Sequence, residues 1–199
     1  MESRPQPLET VSDDLQMILK MVEASMGFVP NSMRTMAKRP ALLKASIGMM
    51  GYMVGPDCTI DAGLRQMVAY MTSYGSGCRY CQAHTSHGAE KNGVDPKKIE
   101  NLWQFETSEL FDDRERSALS FALAAGQVPN GVEDAHYDAL APHFSEEEIL
   151  DLVAIISTFG FLNRWNDTLG TKLEDAPIAF AGSHLAESGW SAGKHGGVR

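Results

Sequence analysis

The sequence predicts an all-α protein, and three observations support this prediction. No segment alternates apolar and polar residues with the period of two that a half-buried strand requires. Apolar residues instead recur three and four positions apart, as on one face of a helix. Breaks at glycine, proline and Asn-Gly divide the 199 residues into segments of helical length. With 43% hydrophobic and 22% charged residues, the chain has the composition of one globular domain.

The N-terminal part of the chain predicts three helical segments. The first helix is predicted to begin after the N-cap Ser12 and to end at Gly27. Its apolar face is formed by Leu15, Ile18, Leu19 and Val22. After a short linker, a second segment covers residues 32–38. A third runs from Pro40, which is typical of a first helical turn, to about Val54. Its interior methionines indicate plastic core or a subunit interface: Met49, Met50 and Met53.

The rest of the chain predicts the remaining helices, about eight in all. Thr59 is a candidate N-cap for a helix from Asp61 to about Tyr74, and Gly75-Ser76-Gly77 forms a hinge after it. The later helices are predicted at Cys78 to about Lys91, from Asp95-Pro96 onward, at Asp112 to Ala125, at Glu133 to about Leu140, and from a capping box at Ser145 to about Leu169. Residues 1–181 are predicted to form a single domain, and residues 182–199 a loosely structured C-terminal arm.

The charge of the chain disfavours several classes of partner. Its 17 Lys+Arg and 26 Asp+Glu give a net charge of −9, so we expect no nucleic-acid and no membrane partner. Met1–Thr10 lacks the features of a secretion signal, and the apolar run Leu152–Ile156 is far too short to span a bilayer. Three cysteines, an odd number, argue against a secreted disulfide framework. We therefore expect a cytoplasmic, reducing location.

An internal similarity indicates a duplicated helical unit. Residues Leu64–Gly75 align without gaps with Ile149–Gly160, and the match continues beyond the glycine. In the continuation Arg79 falls on Arg164, Tyr80 on Trp165, Cys78 on Asn163, and Cys81 on Asn166. Only the first copy therefore carries thiols. Chance agreement between two amphipathic helices is the alternative interpretation.

The segment 77–87 contains the residues best suited to chemistry, a C-x-x-C pair followed by a histidine. Cys78 and Cys81 lie one helical turn apart, close enough to form a disulfide if the turn relaxes. The free N–H groups and the positive end of a helix favour thiolate over thiol. His84 follows Cys81 by one turn and can exchange a proton with it, and Arg79 adds a positive charge. These features favour a reactive dithiol.

Two other interpretations stay open, a zinc site and an inert buried pair. The segment offers four donor side chains, Cys78, Cys81, His84 and His87. On a continuous helix the first and last of them lie roughly 13.5 Å apart along the axis, which a tetrahedral ion cannot accommodate. No second donor pair completes a site. Redox or peroxide chemistry is therefore the main interpretation.

Several segments together resemble the alkylhydroperoxidase AhpD-like, or carboxymuconolactone decarboxylase, superfamily, and within it the longer peroxidase-related branch. They are the C-x-x-C-x-x-H segment, the preceding helix 64–77, the entry 27–31 and the tail 189–195. The resemblance covers nearly the whole chain. It implies an AhpD-like all-α fold that assembles as a homo-oligomer, a trimer or a hexamer.

The resemblance also implies roles for the site residues. Cys81 matches the peroxidatic cysteine, which becomes a sulfenic acid, and Cys78 matches the resolving cysteine, which then forms the disulfide. His84 resembles the proton-relaying histidine, although small AhpD proteins place theirs at the position held here by Thr85. Helix-terminus electrostatics alone would instead favour Cys78 as the attacking thiol.

A second departure concerns the family's glutamate. It corresponds here to Gln66, which can orient a histidine by a hydrogen bond but cannot accept a proton. Asp151, the repeat counterpart of Gln66, is a candidate substitute.

Cys58 has no partner motif and is interpreted as structural or incidental. Four isolated histidines are predicted at the surface or an interface: His136, His143, His184 and His195. In the tail, Trp190 with Lys194 and His195 is a candidate cover for a neighbouring subunit's site.

The resulting hypothesis is a thiol-dependent peroxidase that reduces H2O2 or a small organic hydroperoxide. It needs no bound cofactor and no metal, but it needs an external dithiol reductant, either a protein or a small thiol. Two alternatives belong to other classes. One is lactone decarboxylation or isomerisation, which needs a histidine but not two cysteines. The other is a non-enzymatic module that responds to redox state or binds metal.

Overall fold

The computed structural model describes residues 5–197, and helices are the only regular structure in that part of the chain. The predicted all-α fold is confirmed. Among these residues there are ten α-helices: α1 Asp13–Met26, α2 Asn31–Met36, α3 Pro40–Val54, α4 Ala62–Gly75, α5 Arg79–Lys91, α6 Pro96–Glu100, α7 Asp113–Gly126, α8 Asp134–Leu140, α9 Glu146–Leu169 and α10 Asp175–His184. Short 3-10 turns lie at Leu102–Gln104 and Gly193–His195.

Some predictions fall partly outside the described residues. These are the first four residues of Met1–Thr10 and the last two residues of the predicted arm. Within residues 5–197, no helix has both the length and the apolar character needed to cross a membrane.

Helix α4 lies at the centre of the fold and packs against α5, α7 and α9. Every residue from Met67 to Ser73 is buried, as expected of a helix surrounded by other helices. The helix accommodates two hydroxyls because Thr72 and Ser73 donate to backbone carbonyls one turn earlier. Helices α4 and α7 approach closely at Gly126, where an added Cβ would lie only 2.4 Å from the Thr72 carbonyl oxygen.

A second hydrophobic cluster joins the N-terminal helices to α9. Its buried members come from α1, α2, α3 and the adjoining loops: Leu15, Leu19, Val29, Met33, Met36, Ala37 and Leu43. They pack against the partly buried side chains Phe161, Leu162 and Trp165 of α9. Helix α9 therefore connects the N-terminal cluster to the main core around α4.

The predicted cap of α4, Thr59, is wrong. Helix α4 begins at Ala62, and the Asp61 carboxylate accepts the backbone N–H of Leu64 at 2.8 Å. An N-cap side chain must reach the N–H two or three residues later, which Asp61 does and Thr59 does not. Thr59 instead donates its backbone N–H and its hydroxyl to the carboxylate of Asp151.

The two similar segments of the chain differ in backbone where the first copy carries its cysteines. Helix α4 ends at Gly75, and Gly77 adopts the left-handed conformation with φ +75° before α5 begins at Arg79. Helix α9 continues without interruption through the corresponding positions. Gly77 corresponds to Leu162, whose side chain disfavours a positive φ. The glycine therefore permits the break that separates α4 from α5.

The sequence analysis missed helix α10, Asp175–His184. Its fully buried residues are Pro177 and Ala181, and Ile178 and Phe180 are only partly buried, so its apolar spacing resembles an amphipathic helix weakly. The residues after it, up to 197, are not loosely structured as predicted. Leu185 is buried and His195 accepts the backbone N–H of Leu173 at its carbonyl. The division of the chain at residue 181 stays a prediction.

The C-terminal segment contacts its own chain. Trp190 Nε1 donates to the carbonyl of Arg79 at 3.1 Å, and Lys194 forms an ion pair with Asp167 at 2.8 Å. His195, predicted at the surface or an interface, is instead 1% exposed and lies against the ring of Tyr80. The segment thus packs over the first turn of α5 within the chain.

Candidate active site

The break between α4 and α5 places both cysteines at a helix N-terminus. Cys78 is the N-cap of α5, and its Sγ accepts the backbone N–H of Cys81 at 3.5 Å. The N–H groups of a first helical turn have no partner within the helix, so a side-chain acceptor satisfies one of them. Both thiols are free and buried, with Cys78 0% and Cys81 3% exposed. This bond fixes the sulfur of Cys78 at the first turn of α5.

The Cys81 thiol occupies a different environment. Burial raises its pKa well above the usual range, and the adjacent Cys78 raises it further. The amide of Asn166, which donates to Cys81 Sγ at 3.6 Å, acts in the opposite direction. Cys81 is therefore a protonated thiol at neutral pH, and its use as a nucleophile requires a nearby base.

His84, one turn after Cys81 on α5, is paired with a carboxylate that the sequence analysis missed. Its Nε2 lies 2.6 Å from an oxygen of Glu174, and both side chains are nearly buried. The ring of Tyr80 stacks on His84 with centroids 4.4 Å apart, and Phe28 meets it edge-on at 5.5 Å. The carboxylate and the two rings fix the position of the imidazole.

Glu174 lies at the start of α10 and joins three parts of the site. Besides His84, its carboxylate accepts the hydroxyl of Tyr80 at 3.0 Å and the backbone N–H of Asn31. Burial alone would raise the pKa of Glu174, but the hydrogen bond and charge of His84 and the N–H of Asn31 lower it below its usual value. The carboxylate is therefore ionised at neutral pH and can stabilise a protonated His84.

The other residues considered for the relay have different neighbours. A Cβ at Gly88 would lie 2.7 Å from Oε1 of Gln66, so Gln66 packs on α5 one turn beyond His84. Its role in the relay stays a prediction. Asp151 is hydrogen-bonded to Tyr52 and Thr59 rather than to either thiol. Thr85, at the position of the histidine in small AhpD proteins, donates its hydroxyl to the carbonyl of Cys81.

The predicted contribution of Arg79 to the thiols is not seen in the structure. Its guanidinium donates to the hydroxyl and the carbonyl of Ser191, at 2.7 and 3.0 Å, and so faces the C-terminal segment. His87 packs on Phe28 and Phe180. Within residues 5–197, no group of three or more His, Cys, Asp or Glu side chains is arranged to hold a metal ion.

The residues missed by the sequence analysis, Glu174 and Asn166, had different signals. Asn166 aligns with Cys81 in the internal repeat, and that alignment pointed to the position that touches the thiol. Glu174 precedes a helix start, but no local pattern indicates that it meets His84, which is 90 positions away.

Fold and site together define an all-helical thiol protein with a buried C-x-x-C pair at a helix start and a histidine–carboxylate pair one turn beyond. A sequence model of the carboxymuconolactone decarboxylase family matches residues 40–124. The chain belongs to this AhpD-like, carboxymuconolactone decarboxylase superfamily, as the resemblance implied.

Solved structures extend the similarity over nearly the whole chain. The apo structure of the debrominase Bmp8 is 34% identical with a TM-score of 0.83, covering 90% of this chain and 97% of that one. A peroxidase-related protein from Ralstonia eutropha JMP134, described as an alkylhydroperoxidase AhpD core, is 27% identical with a TM-score of 0.76 over 86% of this chain and 90% of its own. Among curated proteins, the uncharacterized YnjA of Escherichia coli K12 is 26% identical over 143 residues, 72% of this chain and 79% of YnjA.

Proposed function

We propose that this protein is a dithiol reductase that uses Cys78 and Cys81 to reduce a small hydroperoxide. The observation that carries the proposal is the bond from the Cys81 N–H to Cys78 Sγ, which holds two reduced cysteines within one helical turn. The His84–Glu174 pair, one turn further along α5, supports the proposal because it offers a base to a protonated thiol. The names of the peroxidase-related relatives agree with this chemistry.

The reaction proceeds in two steps within the protein. His84 takes the proton of Cys81, and the thiolate sulfur attacks the terminal oxygen of the hydroperoxide. The O–O bond breaks, an alcohol or water leaves with a proton, and Cys81 becomes a sulfenic acid. The sulfur of Cys78 then attacks Cys81, an S–S bond forms and water leaves. The hydroperoxide gains two electrons, and the two thiols lose them.

Restoring the dithiol requires an external dithiol, which gives two electrons and two protons to the Cys78–Cys81 disulfide. The two cysteines are suited to different steps. His84 follows Cys81 by one turn of α5 and serves as its base, whereas the N–H received by Cys78 Sγ stabilises charge on that sulfur when it attacks or leaves. The homo-oligomer, trimer or hexamer, and the cytoplasmic location stay predictions.

The decisive experiment measures hydroperoxide consumption with several dithiol donors. We expect one equivalent of hydroperoxide to convert Cys78 and Cys81 to a disulfide, detected by thiol count and peptide mass. Cys81→Ser should abolish consumption, and Cys78→Ser should stop turnover after one equivalent because no resolving thiol remains.

Cys58→Ser is the matched control, since Cys58 is equally buried but lies outside the C-x-x-C pair. It should retain full turnover. A Cys81→Ser variant with unchanged consumption, or a wild-type protein that forms no disulfide, would contradict the proposed function.

A second candidate substrate class follows from the similarity to the debrominase. Bmp8 is 34% identical over 90% of this chain, and a cysteine-to-alanine variant of it was solved with 2,3,4-tribromopyrrole. A dithiol can also reduce a carbon–bromine bond: the ring gains hydrogen in place of bromine, bromide and a proton leave, and a disulfide forms. Bromide release from 2,3,4-tribromopyrrole under the same conditions would favour this substrate class over hydroperoxides.

A further inference from the structure

The contact between Asn166 and Cys81 joins a residue to its own repeat counterpart. Asn166 lies on α9, 2% exposed, and its Nδ2 donates to Cys81 Sγ at 3.6 Å across 85 positions of sequence. That separation is also the spacing of the internal repeat. A contact between equivalent positions is expected only where the two copies meet. The two copies therefore meet where the thiol of the first contacts the amide of the second.

The hydrogen bonding of Asn166 is unusual for a buried amide. Within the described residues its Oδ1 is buried and has no hydrogen-bond partner. The contact of Nδ2 with Cys81 Sγ is the hydrogen bond that its side chain makes there. A buried amide with an unpaired oxygen destabilises a fold relative to an apolar side chain of the same shape. Packing alone therefore does not account for asparagine at this position.

We propose that Asn166 is a catalytic residue of the dithiol site, whose amide N–H stabilises negative charge on Cys81 Sγ. This inference rests on the proposed function, in which Cys81 must become a thiolate. Burial and Cys78 oppose that thiolate, and the charge of Asp167 also raises the pKa of Cys81, whereas the Asn166 amide lowers it. The amide supplies a fixed dipole at a site from which water is excluded, where such a donor is most effective.

The test uses a protein in which Cys81 is the only thiol, made by Cys58→Ser and Cys78→Ser. Serine at position 78 is a good N-cap and preserves the start of α5. The second-order rate of Cys81 alkylation by iodoacetamide is measured by mass spectrometry at several pH values. Asn166→Leu keeps the shape of the side chain and removes the donor, and it should lower this rate about three- to tenfold at neutral pH. The loss of thiolate is partly offset by the greater nucleophilicity of a more basic sulfur.

The thermal stability of Asn166→Leu separates a catalytic amide from a structural one. Because the oxygen of Asn166 is unpaired, replacement by leucine should leave the melting temperature unchanged or raise it. A fall in melting temperature with an unchanged alkylation rate would overturn the inference.

Asn163→Leu is the matched control. Asn163 is 3% exposed on the same helix, one turn earlier, and its oxygen accepts the hydroxyl of Ser73 rather than contacting Cys81 Sγ. Its replacement should leave the alkylation rate of Cys81 within about twofold of the parent, well inside the change expected for a lost thiolate donor. An equal loss of rate in both variants would show that packing around α9 controls Cys81, and it would contradict the proposal.

The alkylation assay contains no hydroperoxide, so its outcome is independent of the proposed function. A protein that fails to consume hydroperoxide but alkylates more slowly after Asn166→Leu would lose its proposed substrate and keep the role of Asn166. If the protein reduces hydroperoxide but Asn166→Leu leaves the alkylation rate of Cys81 unchanged, the proposed function stands and this inference fails.

Discussion

Glu174 determines what His84 can do. His84 lies one turn after the buried Cys81 on α5, and the Glu174 carboxylate, 2.6 Å from its Nε2, orients the imidazole for the proposed proton transfer. The resemblance to the family predicts a glutamate at the position of Gln66, on α4, whereas Glu174 precedes α10. The acidic partner of the histidine thus comes from a different element of the chain.

We expect Glu174→Gln to lower the rate of the thiol reaction by about tenfold or more, because the charge that stabilises protonated His84 is lost. Glutamine keeps the shape of the side chain and can still accept the Tyr80 hydroxyl and the Asn31 N–H. The measurement is the steady-state rate of hydroperoxide consumption at neutral pH.

A second histidine–carboxylate pair provides the control. His184 lies 2.8 Å from Glu100, and both side chains are more exposed than those of the site pair. Glu100→Gln should leave the rate unchanged. Equal losses in the two variants would mean that general destabilisation, rather than the charge beside His84, explains the effect.

Local spacing identified part of the site, and long-range contacts supply the rest. Cys78, Cys81 and His84 lie on consecutive turns of one helix, so their proximity follows from sequence. Glu174 and Asn166 reach them from 90 and 85 positions away. Those approaches depend on how α9 and α10 pack against α5, which helix periodicity does not encode.

At the scale of elements, the break between α4 and α5 creates the thiol site. In an uninterrupted helix such as α9, the N–H of the residue equivalent to Cys81 bonds to a carbonyl four positions earlier. The positive φ of Gly77 ends that pattern and frees the N–H for Cys78 Sγ. The same chain thus holds an interrupted and a continuous form of one helical unit.

Gly77→Ala should destabilise the protein by about 1–2 kcal/mol, since alanine is strained at a φ of +75°. No atom within 4 Å would meet the added Cβ, so backbone strain is the sole expected cost. The free energy of unfolding in urea measures the change, and the rate of disulfide formation should fall with it.

A helical glycine of α9 supplies the comparison for this prediction. Gly160 lies in the interior of α9, is exposed and has open space around its Cβ direction. Gly160→Ala should therefore stabilise the protein by about 0.5–1 kcal/mol. Changes of the same sign at Gly77 and Gly160 would refute the conformational explanation.

Start and stop signals predicted most helices because caps and breakers act locally. Thr59 resembles a cap of α4 in sequence because its hydroxyl precedes the predicted helix start, but its hydrogen bond to Asp151 depends on a residue 92 positions away. Helix α10 was missed because its buried residues are few and small. Elements whose formation depends on tertiary packing carry the weakest sequence signal.

At the scale of the whole molecule, Glu174 links regions that are far apart in sequence. It connects the start of α2 at Asn31, the first turns of α5 at Tyr80 and His84, and the start of α10. Loss of these hydrogen bonds should lower the free energy of unfolding, because they join segments from the N-terminal and C-terminal parts of the chain. The ionisation of a single carboxylate therefore contributes to overall stability.

This contribution has a defined pH dependence. The pKa of Glu174 in the folded protein is lowered from its usual 4.5, so the carboxylate stabilises the fold above pH 4.5. The stabilisation is lost as pH falls through the lowered folded-state value. The difference in free energy of unfolding between wild type and Glu174→Gln should be largest near neutral pH and shrink below about pH 4.5. A difference that stays constant from pH 7 to pH 3 would contradict this assignment.

For the proposed reaction, the burial of Cys78 and Cys81 has a consequence for competition among oxidants. With Cys78 0% and Cys81 3% exposed, a reagent reaches them only when the surrounding chain makes room. Many electrophiles of similar intrinsic reactivity would then differ in rate according to their size and their ability to shed water. In the proposed reaction, access to the thiols would therefore select among reactants as well as their intrinsic reactivity.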